Sequence, residues 1–197
     1  MGHLEVFHIA VFACVILSWC VFALAFFFRR RGPAAPVARL GQSFLPGIIL
    51  QGAGFASAWR FRRQLFTHIV EVPLAAEVLL AAVTVCLAAA SVWFAVAAIR
   101  ALGRHWSVEA RTIEGHELVT TGPYAVVRHP IYAGLFGLLV ATGLAISTWE
   151  GLAGAAVLYA AGSYVRIAGE EKLLGATFGD AYRQYAARVP AFLPFVK

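Results

Sequence analysis

The chain has 197 residues, 61% of them hydrophobic and only 13% charged. Soluble domains carry about 25% charged residues, so this composition excludes a water-soluble fold and predicts an integral membrane protein. The net charge of +6 comes from arginine, since lysine occurs only at Lys172 and Lys197, and no basic helix with interleaved aromatics suggests nucleic acid.

Leu4 to Phe28 reads as the first span, with Glu5 and His8 near its outer end and Arg29-Arg30-Arg31-Gly32-Pro33 stopping it. A crossing needs ~20 apolar residues, which this run exceeds. It lacks the basic start and cleavage site of a signal peptide. Leu40 to Trp59 is a second candidate, rich in glycine and interrupted at Pro46, with a re-entrant segment as the alternative. Pro73 to Ile99 is a third, carrying Glu77 a turn inside its start, which reads as a snorkelled interfacial carboxylate with a pocket residue as the alternative. Arg100 to Arg128 is a polar connector holding Arg104, His105, Trp106, Arg111 and His116. Ile131 to Thr148 is the fourth span. A tight turn at Trp149-Glu150-Gly151 leads into the fifth, Leu152 to Ile167, and so short a turn requires an antiparallel hairpin. Ala168 to Arg188 is mixed in character and reads as a helix ending at Val189-Pro190.

The expected fold is therefore all-α, with about five transmembrane helices and a cytoplasmic C-terminal helical region. Five spans with the N-terminus outside put thirteen Lys or Arg on the cytoplasmic side, in segments 29–39, 100–128 and 166–197, against three in 60–72. That bias fits the positive-inside rule and predicts a cytoplasmic membrane location with the polar blocks facing the cytoplasm. Cys14, Cys20 and Cys86 lie in apolar runs without CxxC or His/Cys spacing and read as reduced, buried apolar residues. His105, His116 and His129 are too widely spaced for a compact metal site, so no metal is expected.

Two polar blocks interrupt the apolar pattern. The first runs from His116 to Gly134, where Gly122-Pro123 signals a turn and His129-Pro130 starts a helix. Arg128, His129, Tyr124 and Tyr132 crowd that helix entrance. In the second, Arg166 and Glu170 stand at i and i+4 on one helix face, while Glu171 is turned about 100° away. By residue chemistry alone these are interfacial anchors and a snorkelling ion pair, or they are a site.

The blocks also carry a resemblance. Leu118-Val119-Thr120 to Tyr124, then Arg128-His129-Pro130-Ile131-Tyr132-Ala133-Gly134, resembles the C-terminal half of the isoprenylcysteine carboxyl methyltransferases, which are related to the phospholipid methyltransferases. Arg166, Glu170-Glu171, Phe178-Gly179, Tyr182, Tyr185, Arg188-Val189-Pro190 and Leu193-Pro194-Phe195 follow in the same order. The likeness covers Gly103 to Lys197 and implies N-terminal transmembrane helices over 1–102 and a catalytic region with a helical hairpin over 103–197.

The resemblance implies a membrane enzyme using S-adenosylmethionine. Its acceptor would be the carboxylate of a prenylcysteine-like lipophilic acid, and membrane lipids would surround it. Arg166 and Glu170 would be catalytic, Arg166 holding the carboxylate and Glu170 orienting Arg166 or accepting substrate amide hydrogens. Leu118, Val119 and Gly122 would offer backbone contacts to the cofactor, and Tyr124, His129 and Tyr132 side-chain contacts. Pro130 and Gly134 complete that block, and Glu171 would meet the cofactor's ammonium or ribose. The division of labour between the two glutamates stays open. A carboxylate with a pKa of roughly 3.5 is ionised at neutral pH, so its methylation needs alignment and a cation rather than a general base. The alternatives are a phospholipid N-methyltransferase or small-molecule S- or N-methyltransferase, where a base becomes essential. Further off are an NADPH-dependent sterol-type reductase and a non-enzymatic scaffold. No Gly-rich strand-to-helix loop points to a Rossmann methyltransferase.

Overall fold

The computed structural model describes residues 2–28, 44–63, 73–103 and 118–194. Arg29 to Arg31, Arg39, and the connector residues Arg104, His105, Trp106, Arg111 and His116 lie outside the described residues. Among the described residues the chain is helical: α1 Gly2–Phe27, α2 Phe44–Arg60, α3 Leu74–Leu102, a 3-10 turn Gly122–Ala125, α4 Pro130–Ile146 and α5 Trp149–Arg188. The protein is an all-α integral membrane protein. Three helices hold stretches long and apolar enough to cross a bilayer, at Phe7–Phe27, Leu74–Leu102 and within Trp149–Arg188. α2 and α4 have 17 residues each, about 25 Å at 1.5 Å per residue.

Contacts fix the helix directions. Phe12 meets Trp59 and Trp19 meets Phe55, so α1 and α2 are antiparallel. Gly47 lies against Arg166, Gly54 against Tyr159, and Ser57 Oγ donates to the Gly151 carbonyl, so α2 and α5 are antiparallel too. Gly134 lies against Ala95 and Gly137 against Leu87, which sets α4 antiparallel to α3. The C-terminal ends of α1 and α3, the N-terminal ends of α2 and α4, and Arg166 of α5 therefore share one end of the bundle.

Small residues bring these backbones together. Lipid tails are as apolar as leucine, so helix association in a bilayer depends on close packing rather than on water exclusion. A Cβ on Gly162 would come within 2.6 Å of the Gly47 carbonyl oxygen, and one on Gly134 within 2.8 Å of the Ser91 carbonyl oxygen. Val15, Ala88, Leu138 and Ala141 form one buried cluster among α1, α3 and α4. Ala58, Leu139, Ala155 and Tyr159 form a second, with Phe192 of the C-terminal segment packed against it.

Four details differ from the sequence reading. Pro46 does not interrupt α2; it sits in the first turn, where its missing N–H costs no helical bond. The α4–α5 turn lies at Ser147-Thr148 rather than at Trp149-Glu150-Gly151, because the Thr148 side chain accepts from the Gly151 amide and caps α5. The three cysteines are on exposed helix faces; in a bilayer the outer surface is as apolar as the core. Glu77 is buried and pairs with His8 of α1 at 2.6 Å.

α5 has 40 residues, about 60 Å, roughly twice the hydrocarbon thickness. Its apolar part ends near Arg166, and the turns carrying Glu170 and Glu171 project beyond the span. At Gly179 the backbone breaks, with φ 54° and ψ −122°. That region is essentially closed to residues with a Cβ. The break turns Tyr182, Tyr185 and the C-terminal segment back toward the start of α4.

Candidate active site

The return of the C-terminal segment begins with Arg128. Its amide donates to the Pro190 carbonyl at 2.8 Å, and the next amide, His129, donates to Ala191 at 3.0 Å. The Arg128 guanidinium donates through Nη1 to the Ala186 carbonyl at 2.9 Å and to the Val189 carbonyl. Its other face grips Glu171 Oε1, with Nε at 2.8 Å and Nη2 at 2.6 Å. One arginine thus ties α5 beyond the kink to the entrance of α4. The hydroxyl of Tyr185 adds a bond to the Tyr124 carbonyl at 2.6 Å. Gly122, with φ 61°, permits the turn that brings Tyr124 inward.

His129 sits between the two glutamates. Its Nδ1 lies 3.4 Å from Glu170 Oε2 and its Nε2 3.3 Å from Glu171 Oε1. Burial alone would lower its pKa, but the hydrogen bonds and charges of both glutamates more than reverse this and hold it above the ordinary histidine value. For Glu171, burial pushes upward, and the hydrogen bonds and charges of His129 and Arg128 outweigh it, so the carboxyl lies below its ordinary range and is ionised at neutral pH. The His129 ring stacks on Tyr132 with centroids 5.8 Å apart and planes 7° from parallel. The Tyr132 hydroxyl donates to Glu170 Oε1, and its backbone carbonyl accepts from Tyr159 at 3.2 Å.

Arg166 completes the cluster from α5. It is 8% exposed, so it does not snorkel outward. Its Nη2 lies 3.8 Å from Glu170 Oε1, its Cζ sits 4.8 Å from the centre of the Tyr132 ring, and its Nη1 donates to Gln51 Oε1 of α2 at 3.1 Å. The side chains of Glu170 and Glu171 are 22% and 26% exposed. Buried cations therefore lie behind carboxylates that are open to a ligand.

Of the residues singled out in the sequence, Arg166, Glu170, Glu171, His129 and Tyr132 are brought into one connected cluster. Tyr124 is buried beside it. Pro130 is fully buried in the first turn of α4. Gly134 faces α3, one turn inside α4, and serves the helix packing. Leu118 and Val119 are half-buried in the chain leading to the Gly122 turn and make no described hydrogen bond to the glutamates. Two residues were given no role in the sequence reading. Arg128 stood out there as an interfacial anchor at the helix start and as part of the family motif, with no task in the site. Gln51 carries a signal that was available: an amide in the middle of an apolar helix must find a partner. Among the described residues no group of three His, Cys, Asp or Glu has the geometry to hold a metal ion.

Residues 79–176 match the sequence model of the isoprenylcysteine carboxyl methyltransferase family. The chain belongs to this family. It is 38% identical over 90 residues to protein-S-isoprenylcysteine O-methyltransferase of Schizosaccharomyces pombe, covering 45% of this chain and 38% of that one. It is 37% identical over 101 residues to protein-S-isoprenylcysteine O-methyltransferase B of Arabidopsis thaliana, covering 50% and 51%. It is also 40% identical over 100 residues to the cobalt-zinc-cadmium resistance protein CzcN of Cupriavidus metallidurans, covering 47% and 43%. The chain thus spans about half, or less, of the length of these relatives. The matched family stretch begins inside α3 and leaves α1 and α2 out.

Proposed function

We propose that this protein is a membrane S-adenosylmethionine-dependent methyltransferase that esterifies the carboxylate of a prenylcysteine-like lipophilic acid. The observation that carries the reading is a buried arginine, Arg166, behind two partly exposed carboxylates at one end of the bundle. The charge bias of the sequence supports placing that end on the cytoplasmic side, and the family motifs of the two polar blocks support a catalytic region over 103–197 joined to the helices of 1–102.

The donor set suits S-adenosylmethionine. Glu171, ionised and fixed by Arg128, offers oxygens to an ammonium or a ribose diol. The stacked His129 and Tyr132 hold the second carboxylate, Glu170, from the other side. Bound there, the cofactor would supply an electrophilic methyl on a cationic sulfur. The chain's own residues then have two tasks. Arg166 holds the acceptor carboxylate, for which a planar guanidinium is suited because two N–H groups can meet both oxygens. Glu170 and the Tyr132 ring hold Arg166 in place. A carboxylate is already deprotonated, so no residue has to remove a proton, and alignment in a site emptied of water does the rest.

The test is an acceptor comparison. Purified protein with methyl-labelled S-adenosylmethionine is offered a prenylcysteine, phosphatidylethanolamine and a small thiol in parallel. Label is expected on the prenylcysteine alone, as a base-labile ester. A base-stable product on either other acceptor would replace carboxyl transfer with N- or S-methylation.

A further inference from the structure

We propose that Gln51 of α2 is a positioning residue that seats Arg166 and keeps its charge available to the acceptor carboxylate; this rests on the carboxylate role of Arg166 proposed above. α2 lies outside the stretch that matches the family, yet one of its faces forms the seat. Gly47 and Gln51 are four residues apart and so share that face. At Gly47 the α2 backbone lies directly against the arginine stem: a Cβ there would come within 2.3 Å of Arg166 Cγ and 2.9 Å of the Gly162 carbonyl oxygen. One turn on, Gln51 receives the guanidinium, its Oε1 accepting from Nη1 at 3.1 Å. Its Nε2 donates to Ser163 Oγ at 3.0 Å.

The orientation of the amide is forced. Arginine has no acceptor, so the oxygen must face Arg166 and the NH2 must face Ser163. Ser163 and Arg166 stand three residues apart on α5, so the amide bridges two neighbouring positions of one helix face. Gln51 is 7% exposed, so the bridge is made in a largely desolvated setting where its hydrogen bonds count for more than in water. The choice of amide over acid matters as much as its position. A glutamine satisfies one N–H without cancelling the positive charge. A glutamate would add a second carboxylate to the one Glu170 already sets beside Arg166, leaving a net negative site that repels an anionic acceptor. A purely structural bridge would tolerate glutamate, since a carboxylate accepts from arginine more strongly than an amide does.

Glutamate substitution separates the two roles. In full-length protein with labelled S-adenosylmethionine and a prenylcysteine acid, Gln51→Glu is expected to raise the acceptor KM by roughly tenfold or more, the scale of one charged hydrogen bond. Cofactor affinity should stay within about twofold and the melting temperature should not fall, because the Arg166 contact is kept. Gln51→Met keeps the volume and loses the bridge; its acceptor KM should rise by roughly threefold or more. A wild-type acceptor KM in Gln51→Glu would overturn the proposal. Should that variant fail to fold, a wild-type KM in Gln51→Met would do so. Arg166→Lys in the same assay tells the two ideas apart. If it is impaired while the Gln51 variants are normal, only the seat is wrong. If it is fully active, the carboxylate role fails and the seat with it.

Discussion

The two ends of the bundle each hold an arginine that binds backbone carbonyls, and they use it differently. At the end away from the glutamates, the Arg63 amide donates to the Ile146 carbonyl at 2.8 Å, its Nε to Ser147 at 2.6 Å and its Nη2 to Leu144 at 2.7 Å. These carbonyls end α4, where the helix dipole favours a cation. Arg63 acts as a cap. At the other end Arg128 also binds carbonyls, those of Ala186 and Val189, but it turns the rest of its guanidinium to Glu171. That glutamate is shared with His129, which is shared with Glu170, which is shared with Tyr132 and Arg166. A capping arginine satisfies orphan carbonyls at a helix end. A chain of shared carboxylates leaves its side chains partly exposed with charges close to them, which is what a ligand site needs and a cap does not.

The largest way to break this contrast is at Arg166. If it holds the acceptor carboxylate, Arg166→Ala should nearly abolish transfer while S-adenosylmethionine binding, measured by calorimetry, stays close to wild type. Losing a charged partner from a desolvated site costs roughly 2–5 kcal/mol, about 30- to several-thousand-fold in rate. Arg166→Lys should recover only part, since an ammonium does not reproduce the planar fork. Full activity in the lysine variant would reduce Arg166 to the kind of structural cation that Arg63 is.

A smaller effect is expected from pH. His129 has a folded pKa above its ordinary 6.5, so its contribution to stability is fully present below about 6.5 and is lost as pH rises through the raised folded value. Glu171 has a folded pKa below its ordinary 4.5, so its contribution is present above about 4.5 and is lost as pH falls through the depressed value. Melting temperature should therefore decline as pH rises above about 6.5, and His129→Gln should flatten that limb while leaving the acid limb in place. An alkaline limb unchanged by the substitution would mean that His129 does not carry charge between the glutamates.

Much of this was legible in the chain. Five apolar segments separated by polar connectors or a short turn matched the helix number among the described residues, and His129-Pro130 marked the start of α4 to the residue. The Arg166–Glu170 pair followed from spacing of four, and it forms. The same spacing set Glu171 apart from that pair, and what joins it to the cluster is non-local: His129, some forty positions earlier, stands between the glutamates. The role of Arg128 was hidden for a related reason. Its partners include carbonyls of Ala186 and Val189, and no side-chain pattern marks a carbonyl as a partner. The break at Gly179 that brings them back depends on a dihedral only glycine adopts readily. A lone glycine inside a helical pattern is more often tolerated there without any break, so its presence did not mark the kink.

The smallest effect belongs to the cap, and it tests the contrast from the other side. Arg63→Gln removes the guanidinium bonds to Leu144 and Ser147 but leaves the amide bond to Ile146. Arg63 lies at a bundle end, where water can take over part of the work of satisfying the α4 carbonyls. The loss should be on the order of 1–2 kcal/mol, the scale of a charged hydrogen bond at a helix C-terminus. Melting temperature should fall by a few degrees, and Arg63→Lys should recover part of it, since any cation suits the dipole. Turnover per folded molecule should be unchanged, because α4 runs from the cap to Tyr132 as one helix whose first turn is fixed independently by Tyr159 and Pro130. A variant that melts normally yet turns over slowly would show that the two ends are coupled through α4, and that Arg63 is more than a cap.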